Sequence, residues 1–104
     1  MPTFAYRLLP PRPEFVATVT PEEMAVMARH LQHLQSLKAQ GRVRYAGRTD
    51  NGTAQSGDYG LCVIEAADEA EARAMAQSDP AVAEGLMRVE VHAFLVVFDG
   101  SSAA

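Results

Sequence analysis

Residues 20–41 read TPEEMAVMARHLQHLQSLKAQG, and the rest of the chain is best read outward from them. The stretch opens as a helix start. The Thr20 hydroxyl can accept from the amide of Glu23, while the Glu23 carboxylate can reach back to the amide of Thr20. Pro21 falls at the first helical position, where its missing N–H costs nothing. Glu22 and Glu23 suit the positive end of the helix dipole. At the other end Lys38 suits the negative pole, and Gly41 can take the left-handed conformation that stops a helix. Between these ends Met24, Met27, Leu31 and Leu34 recur at steps of three and four, with Val26 and Leu37 widening the stripe. Arg29, Gln32, Gln35 and Ser36 fall mostly on the opposite side. At about 100° per residue, His30 projects between Met27, Leu34 and Leu37, inside the apolar stripe. His33 lands at the stripe's edge.

A buried imidazole needs a hydrogen-bond partner. On position alone, His30 is either a core histidine satisfied by a backbone carbonyl or a functional group. His30 and His33 stand on adjacent turns, but no cysteine or carboxylate lies near them in sequence to complete a ligand set, and no metal is expected.

The chain has 104 residues, enough for one core and not for two. A single domain over residues 1–100 is expected, with residues 101–104 as a frayed tail. The net charge of −4 leaves no basic surface, so nucleic acid is not an expected partner. The lone cysteine, Cys62, excludes a disulfide framework and reads as a small buried hydrophobe in a reducing compartment. The chain begins directly in a strand pattern, without a leader-like segment, and no apolar run approaches membrane-spanning length. A cytoplasmic protein with no membrane partner is the expectation.

In chain order, Thr3 to Leu9 alternates as a first strand. Pro10, Pro11 and Pro13 end it and predict an extended connection carrying Phe15 and Val16. After the long helix, Val43 to Gly47 is a second strand. Arg48 to Asp58 has loop composition and is long for a hairpin, so it reads as a surface loop or a lid. Tyr59 to Glu65 is a third strand, apolar on both faces. Glu69 to Ser78 is an alanine-rich helix, capped by Asp68 with Glu71 completing a capping box. Asp79-Pro80 opens a short helical turn that Gly85 ends. Met87 to Phe98 is a long last strand. The order strand, helix, strand, strand, helix, strand predicts an α+β, ferredoxin-like βαββαβ fold, a four-stranded antiparallel sheet with both helices on one face. Apolar residues on both faces of the third and fourth strands predict a sheet-to-sheet homodimer.

Several of these features, taken in order, resemble the YCII-related (YciI-like) family of small dimeric α/β-barrel proteins. They are His30 with Leu31 and Leu34, Gly41, the Ala46-Gly47 pair, the acidic alanine-rich second helix, Asp79-Pro80 with Val82 and Gly85, and Phe94 on the last strand. The resemblance implies a pocket holding a histidine–aspartate pair, here His30 and Asp79. One branch of the family is linked to dehydrochlorination of a chlorinated hydroxyquinol, an elimination without metal or organic cofactor. Where the family often has a proline after the Ala-Gly pair, this chain has Arg48, which points to a more anionic ligand or a different pocket rim.

With Asp79 accepting from one imidazole nitrogen, the tautomer of His30 is fixed and its other nitrogen is free to take or give a proton. No serine elbow, activated cysteine or phosphate-cradling loop accompanies the pair. The expected function is therefore a cofactor-independent acid–base enzyme, of elimination or isomerisation type, acting on a small cyclic or phenolic ligand. Arg7 and Arg48, on charge, and Gly47, Pro80 and Phe94, as members of the shared motifs, complete the expected binding set. Asp79 also reads as an ordinary N-cap, and His92 on the last strand ranks below His30. A non-catalytic ligand-binding or protein-interaction dimer, and an oxygenase on the same scaffold, are the alternatives, because the scaffold alone does not decide function.

Overall fold

A computed structural model describes residues 1–51 and 57–100. The chain forms strand β1 (Thr3–Leu9), helices α1 (Phe15–Thr18) and α2 (Pro21–Ala39), strands β2 (Val43–Arg48) and β3 (Gly60–Glu65), helices α3 (Glu69–Gln77) and α4 (Pro80–Ala83), and strand β4 (Arg88–Ala93). The four strands make one antiparallel sheet in the order β2-β3-β1-β4. The fold is the expected ferredoxin-like α+β arrangement.

Register explains the layering. Tyr6 lies opposite Cys62 on one side and Val91 on the other, and Phe4 lies opposite Ile64. Because side chains alternate along a strand, Phe4, Tyr6, Leu8, Cys62, Ile64 and Val91 all project to one face. There they form a single core with Ala72 and Ala76 of α3, Ala81 of α4, Met27 and Leu34 of α2, and Phe15. The alanines of α3 let that helix approach the sheet closely.

Both ends of α2 are built as its sequence dictates. The capping box is complete, with Glu23 N–H donating to Thr20 Oγ1 at 3.2 Å and Thr20 N–H to Glu23 Oε1 at 2.9 Å. Arg12 donates twice to the same carboxylate, at 2.8 and 2.9 Å, and holds it well below the usual carboxylate range, at about 2. At the C-terminus Gly41 has φ +72°, and the amides of Gly41 and Arg42 close on the carbonyls of Lys38 and Leu37, a Schellman ending.

The structure departs from the sequence reading in four places. Phe15–Thr18 is a helical turn rather than extended chain. The prolines precede it and so block none of its bonds, and Arg12 fastens it by donating to the Thr18 hydroxyl and carbonyl. On α2 the buried positions centre on His30 and Leu37, while Met24 and Leu31 are 59% and 57% exposed. Glu71 does not close a capping box with Asp68. Its carboxylate accepts instead from Ala67 N–H at 2.9 Å and pairs with Arg42, while Asp68 alone caps α3. The last strand stops at Ala93. Phe94 N–H still donates to Thr3 O, but Thr3 is the first residue of β1, and Pro2 before it lacks an N–H, so the chain beyond has no strand to pair with. Residues 94–98 leave the sheet, and Asp99 pairs with Arg44 of β2.

The expected tail at residues 101–104 lies outside the described residues, and so do residues 52–56 of the loop read as a possible lid. Among the described residues no helix is long and apolar enough to cross a membrane.

Ile64 is fully buried at the centre of this core. Replacing it by alanine should lower stability by about 2–5 kcal/mol in urea unfolding, the usual range for a large-to-small core truncation.

Candidate functional site

The pairing of α2 with α4 creates the site. His30 sits at the middle of α2, on the face turned toward the core, and is buried. Asp79 sits at the joint between α3 and α4, held in an extended conformation by the proline that follows it. Pro80 starts α4, and Asp79 Oδ1 caps that helix by accepting from Ala81 N–H at 3.0 Å. The packing of α4 against α2 then brings the carboxylate to the imidazole.

His30 Nδ1 lies 2.8 Å from both carboxylate oxygens of Asp79, 49 residues away in sequence. The carboxylate is fully buried and has a further partner that sequence reasoning missed. Tyr6 of β1 donates its hydroxyl to Asp79 Oδ2 at 2.8 Å. The signal was present: a tyrosine on the core face of a central strand must find a partner for its hydroxyl. Which partner could not be read without the topology that places β1 beneath the α3–α4 joint.

The electrostatics follow from this geometry. Burial works against the Asp79 charge, but the bonds from His30 and Tyr6, with that of the Ala81 amide, outweigh it and hold the carboxyl below its ordinary range. Tyr6 is shifted the opposite way. Burial, with the thiol and carboxylate beside it, pushes its hydroxyl far above the usual tyrosine value, so it remains a donor. Burial likewise pushes the Cys62 thiol up to about 11, which leaves it an inert neighbour rather than a nucleophile.

His30 forms part of the wall of a cavity of about 540 Å³, within the usual size range for small-molecule sites. The walls are mainly apolar, with Leu8, Phe15, Met24, Met27, Leu31, Leu34 and Met87, and the polar groups are His30, Arg48, Asp58 and Tyr59. The exposed side of the α2 stripe, Met24 and Leu31, is thus one wall of this space. Phe15 and Val16, half of the α1 turn, form another part of it.

Among the residues expected to bind ligand, Gly47 and Arg48 reach the cavity and three others do not. Arg7 projects to the sheet face away from the helices; its guanidinium lies 4.5 Å from the centroid of the Tyr59 ring and 3.5 Å from Glu90. Pro80 belongs to α4, behind Asp79. Phe94 leaves the sheet as β4 ends. Asp58, on the wall, already accepts from the Thr49 hydroxyl at 2.8 Å and from both the amide and the side chain of Asn51, so it is not free to move a proton. His92 is an exposed residue 3.7 Å from Glu90. Among the described residues no three His, Cys, Asp or Glu side chains are grouped to hold a metal ion.

A family model described as the YCII-related domain matches residues 4–95. No curated protein matches the chain. Among solved structures, the chain is similar to 5-chloro-2-hydroxyhydroquinone dehydrochlorinase (TftG) from Burkholderia phenoliruptrix AC1100, in complex with 2,5-dihydroxybenzoquinone. The identity is 24%, the likeness covers 91% of this chain and 94% of that one, and the TM-score is 0.64, which establishes a shared fold.

The buried carboxylate makes a prediction in acid. Asp79 titrates lower in the folded protein than in the unfolded chain, so its ionised form contributes stability that is complete above the unfolded value, about pH 4, and is lost as pH falls through the folded value. Asp79→Asn keeps the N-cap but cannot titrate. It should be less stable than the parent at neutral pH, by about 1.5–3 kcal/mol for a bond to a charged group. Its melting temperature should also fall less between about pH 6 and about pH 3, a comparison that calorimetry reads directly.

Proposed function

The chain belongs to the YCII-related domain family, and from that membership and the site geometry we propose that it is an acid–base enzyme acting on a small ring compound. The observation that carries this reading is the imidazole placed between a buried carboxylate and an apolar cavity. Asp79 takes up Nδ1, which leaves Nε2 as the nitrogen offered to a ligand. In the neutral ring with Nδ1 bonded to Asp79, Nδ1 carries the proton and Nε2 the lone pair, and that form of His30 can act as a base. When Nε2 takes a proton, the positive ring meets the fixed negative charge of Asp79, which stabilises the intermediate state without itself accepting the proton.

The catalytic residues in this proposal are His30, with Asp79 orienting it. Gly47 and Arg48 line the ligand space, and the Arg48 guanidinium at its rim is suited to an anionic oxygen. The apolar walls suit a ring or a comparably compact apolar body. His30 would remove a proton from such a ligand, the freed electron pair would form a new π bond, and a leaving group would depart with its bonding pair. The same base could return the proton at another atom, which is isomerisation. No step calls for a cofactor. The structural neighbour TftG is named as a dehydrochlorinase and was seen with a dihydroxybenzoquinone, which supports a hydroxylated ring as the ligand class and elimination as the reaction.

We also read the protein as a homodimer. Leu95, Val97 and Phe98, on the segment that leaves the sheet, are 85%, 76% and 90% exposed in the single chain. A run of apolar side chains this open is best covered by a second copy. Sedimentation at micromolar concentration should give a dimer, and Phe98→Ser with Leu95→Ser should shift it toward monomer.

A thermal-shift screen of hydroxylated and chlorinated rings should find compounds that raise the melting temperature. On a compound that turns over, His30→Gln should reduce kcat by about 10²–10⁴-fold, the usual contribution of a positioned general base. A folded His30→Gln protein with unchanged turnover would remove His30 from the mechanism.

A further inference from the structure

We infer that Tyr6 is a positioning residue for His30, acting through Asp79: it fixes the carboxylate's orientation and sets how much of its negative charge reaches the imidazole. The inference rests on the reading of His30 as the group that moves a proton, but its test does not require turnover.

Tyr6 comes from the strand beneath the site, and its hydroxyl is buried with the carboxylate. It bonds the same oxygen, Asp79 Oδ2, that lies 2.8 Å from His30 Nδ1. Asp79 Oδ1 is shared in the same way, between His30 and the Ala81 amide. Each carboxylate oxygen therefore divides its charge between the imidazole and one other donor. The Ala81 donor is backbone and would be present with almost any residue at position 81. The Tyr6 donor depends on one side chain. A phenylalanine would fill the same space without placing a hydroxyl in the core, where an unpaired one is costly.

The direction of the effect follows. A donor to a carboxylate stabilises its charge and weakens its hold on any other donor. Removing the Tyr6 hydroxyl concentrates charge on the bond to His30 and frees the carboxylate to turn about its side chain. The imidazolium form of His30 is then favoured, and the ring becomes a worse proton donor after it has served as a base. Few other titratable groups stand near the pair. Cys62 comes from β3 and stays a neutral thiol. Across the cavity stand Arg48, 3.5 Å from Asp50, and Asp58, bonded to Thr49 and Asn51. On α2 itself Arg29 is paired with Glu84, the residue after α4, and His33 is one turn away.

The test is nuclear magnetic resonance of the histidine rings in Tyr6→Phe. The His30 titration should move to higher pH by about one unit, tenfold in proton affinity, while those of His33 and His92 stay where they are. An unmoved His30 titration in the folded variant would overturn the inference. Should the variant not fold, the native protein labelled at the tyrosine ring carbons gives the same answer. The Tyr6 Cζ resonance should shift with the midpoint of the His30 titration, and a flat trace across it would overturn the proposal. Once a substrate is known, the pH profile of kcat/KM should move in Tyr6→Phe by the same amount as the ring titration. Coupled titrations in a protein that turns over no ring compound would uphold Tyr6 as a positioning residue and refute the enzymatic reading alone.

Discussion

A single buried carboxylate ties this fold together. Asp79 has no contact with water, yet donors from α2, β1 and α4 converge on its two oxygens. An isolated carboxylate in such a place would be expelled or protonated, because removing a charge from water is far more costly than any one contact repays. It is tolerated here because each bond is charge-assisted and because the donors come from elements that are already fixed. The converse also holds. The sheet, the long helix and the short helix must all be in register before the carboxylate is satisfied, so the site is a check on the assembly of the whole domain.

The cavity has a similar origin in the packing. A helix whose apolar stripe is wider than the surface it covers leaves part of that stripe without a neighbour. In α2 the inner part, through His30 and Leu37, reaches the core, and the outer part, through Met24 and Leu31, faces the space closed on its other sides by α1, β2 and the start of β3. His30 stands at the border of the two. One nitrogen is thereby committed to the interior, and the ring still forms part of the cavity wall. Methionines at three places on that wall can adapt to ligands of different outline, since their side chains are unbranched and polarisable.

Much of this was legible from residue patterns. Both ends of α2, the cap at Asp68, the order of strands and helices and the layering of the sheet follow from local chemistry and alternation. The helix break at Asp79-Pro80 was equally plain, because proline restricts the residue before it. What the sequence could not provide were facts that depend on neighbours distant along the chain. The third partner of Asp79 is an ordinary core tyrosine until β1 is seen beneath α4. The true end of β4 is set by where β1 starts, not by the hydrophobicity of residues 94–98. Arg7 carries the right charge for an anionic ligand, but strand parity turns it away from the helices. Glu71 closes no capping box because its carboxylate is taken by the Ala67 amide and by Arg42, which lies between α2 and β2.

The early end of β4 leaves Phe94-Leu95-Val96-Val97-Phe98 as five consecutive apolar, β-prone residues without a proline or a charge among them. Segments of this kind stack readily into cross-β assemblies when left unattended. The acidic residue that follows, Asp99, acts as a gatekeeper, since a like charge repeated at each layer of a stack repels its copies, and its tether to Arg44 keeps the segment from swinging free. A fold whose last strand stops where a greasy tail begins has in this way acquired a colloidal hazard, and the same ion pair that closes the chain onto β2 is its safeguard.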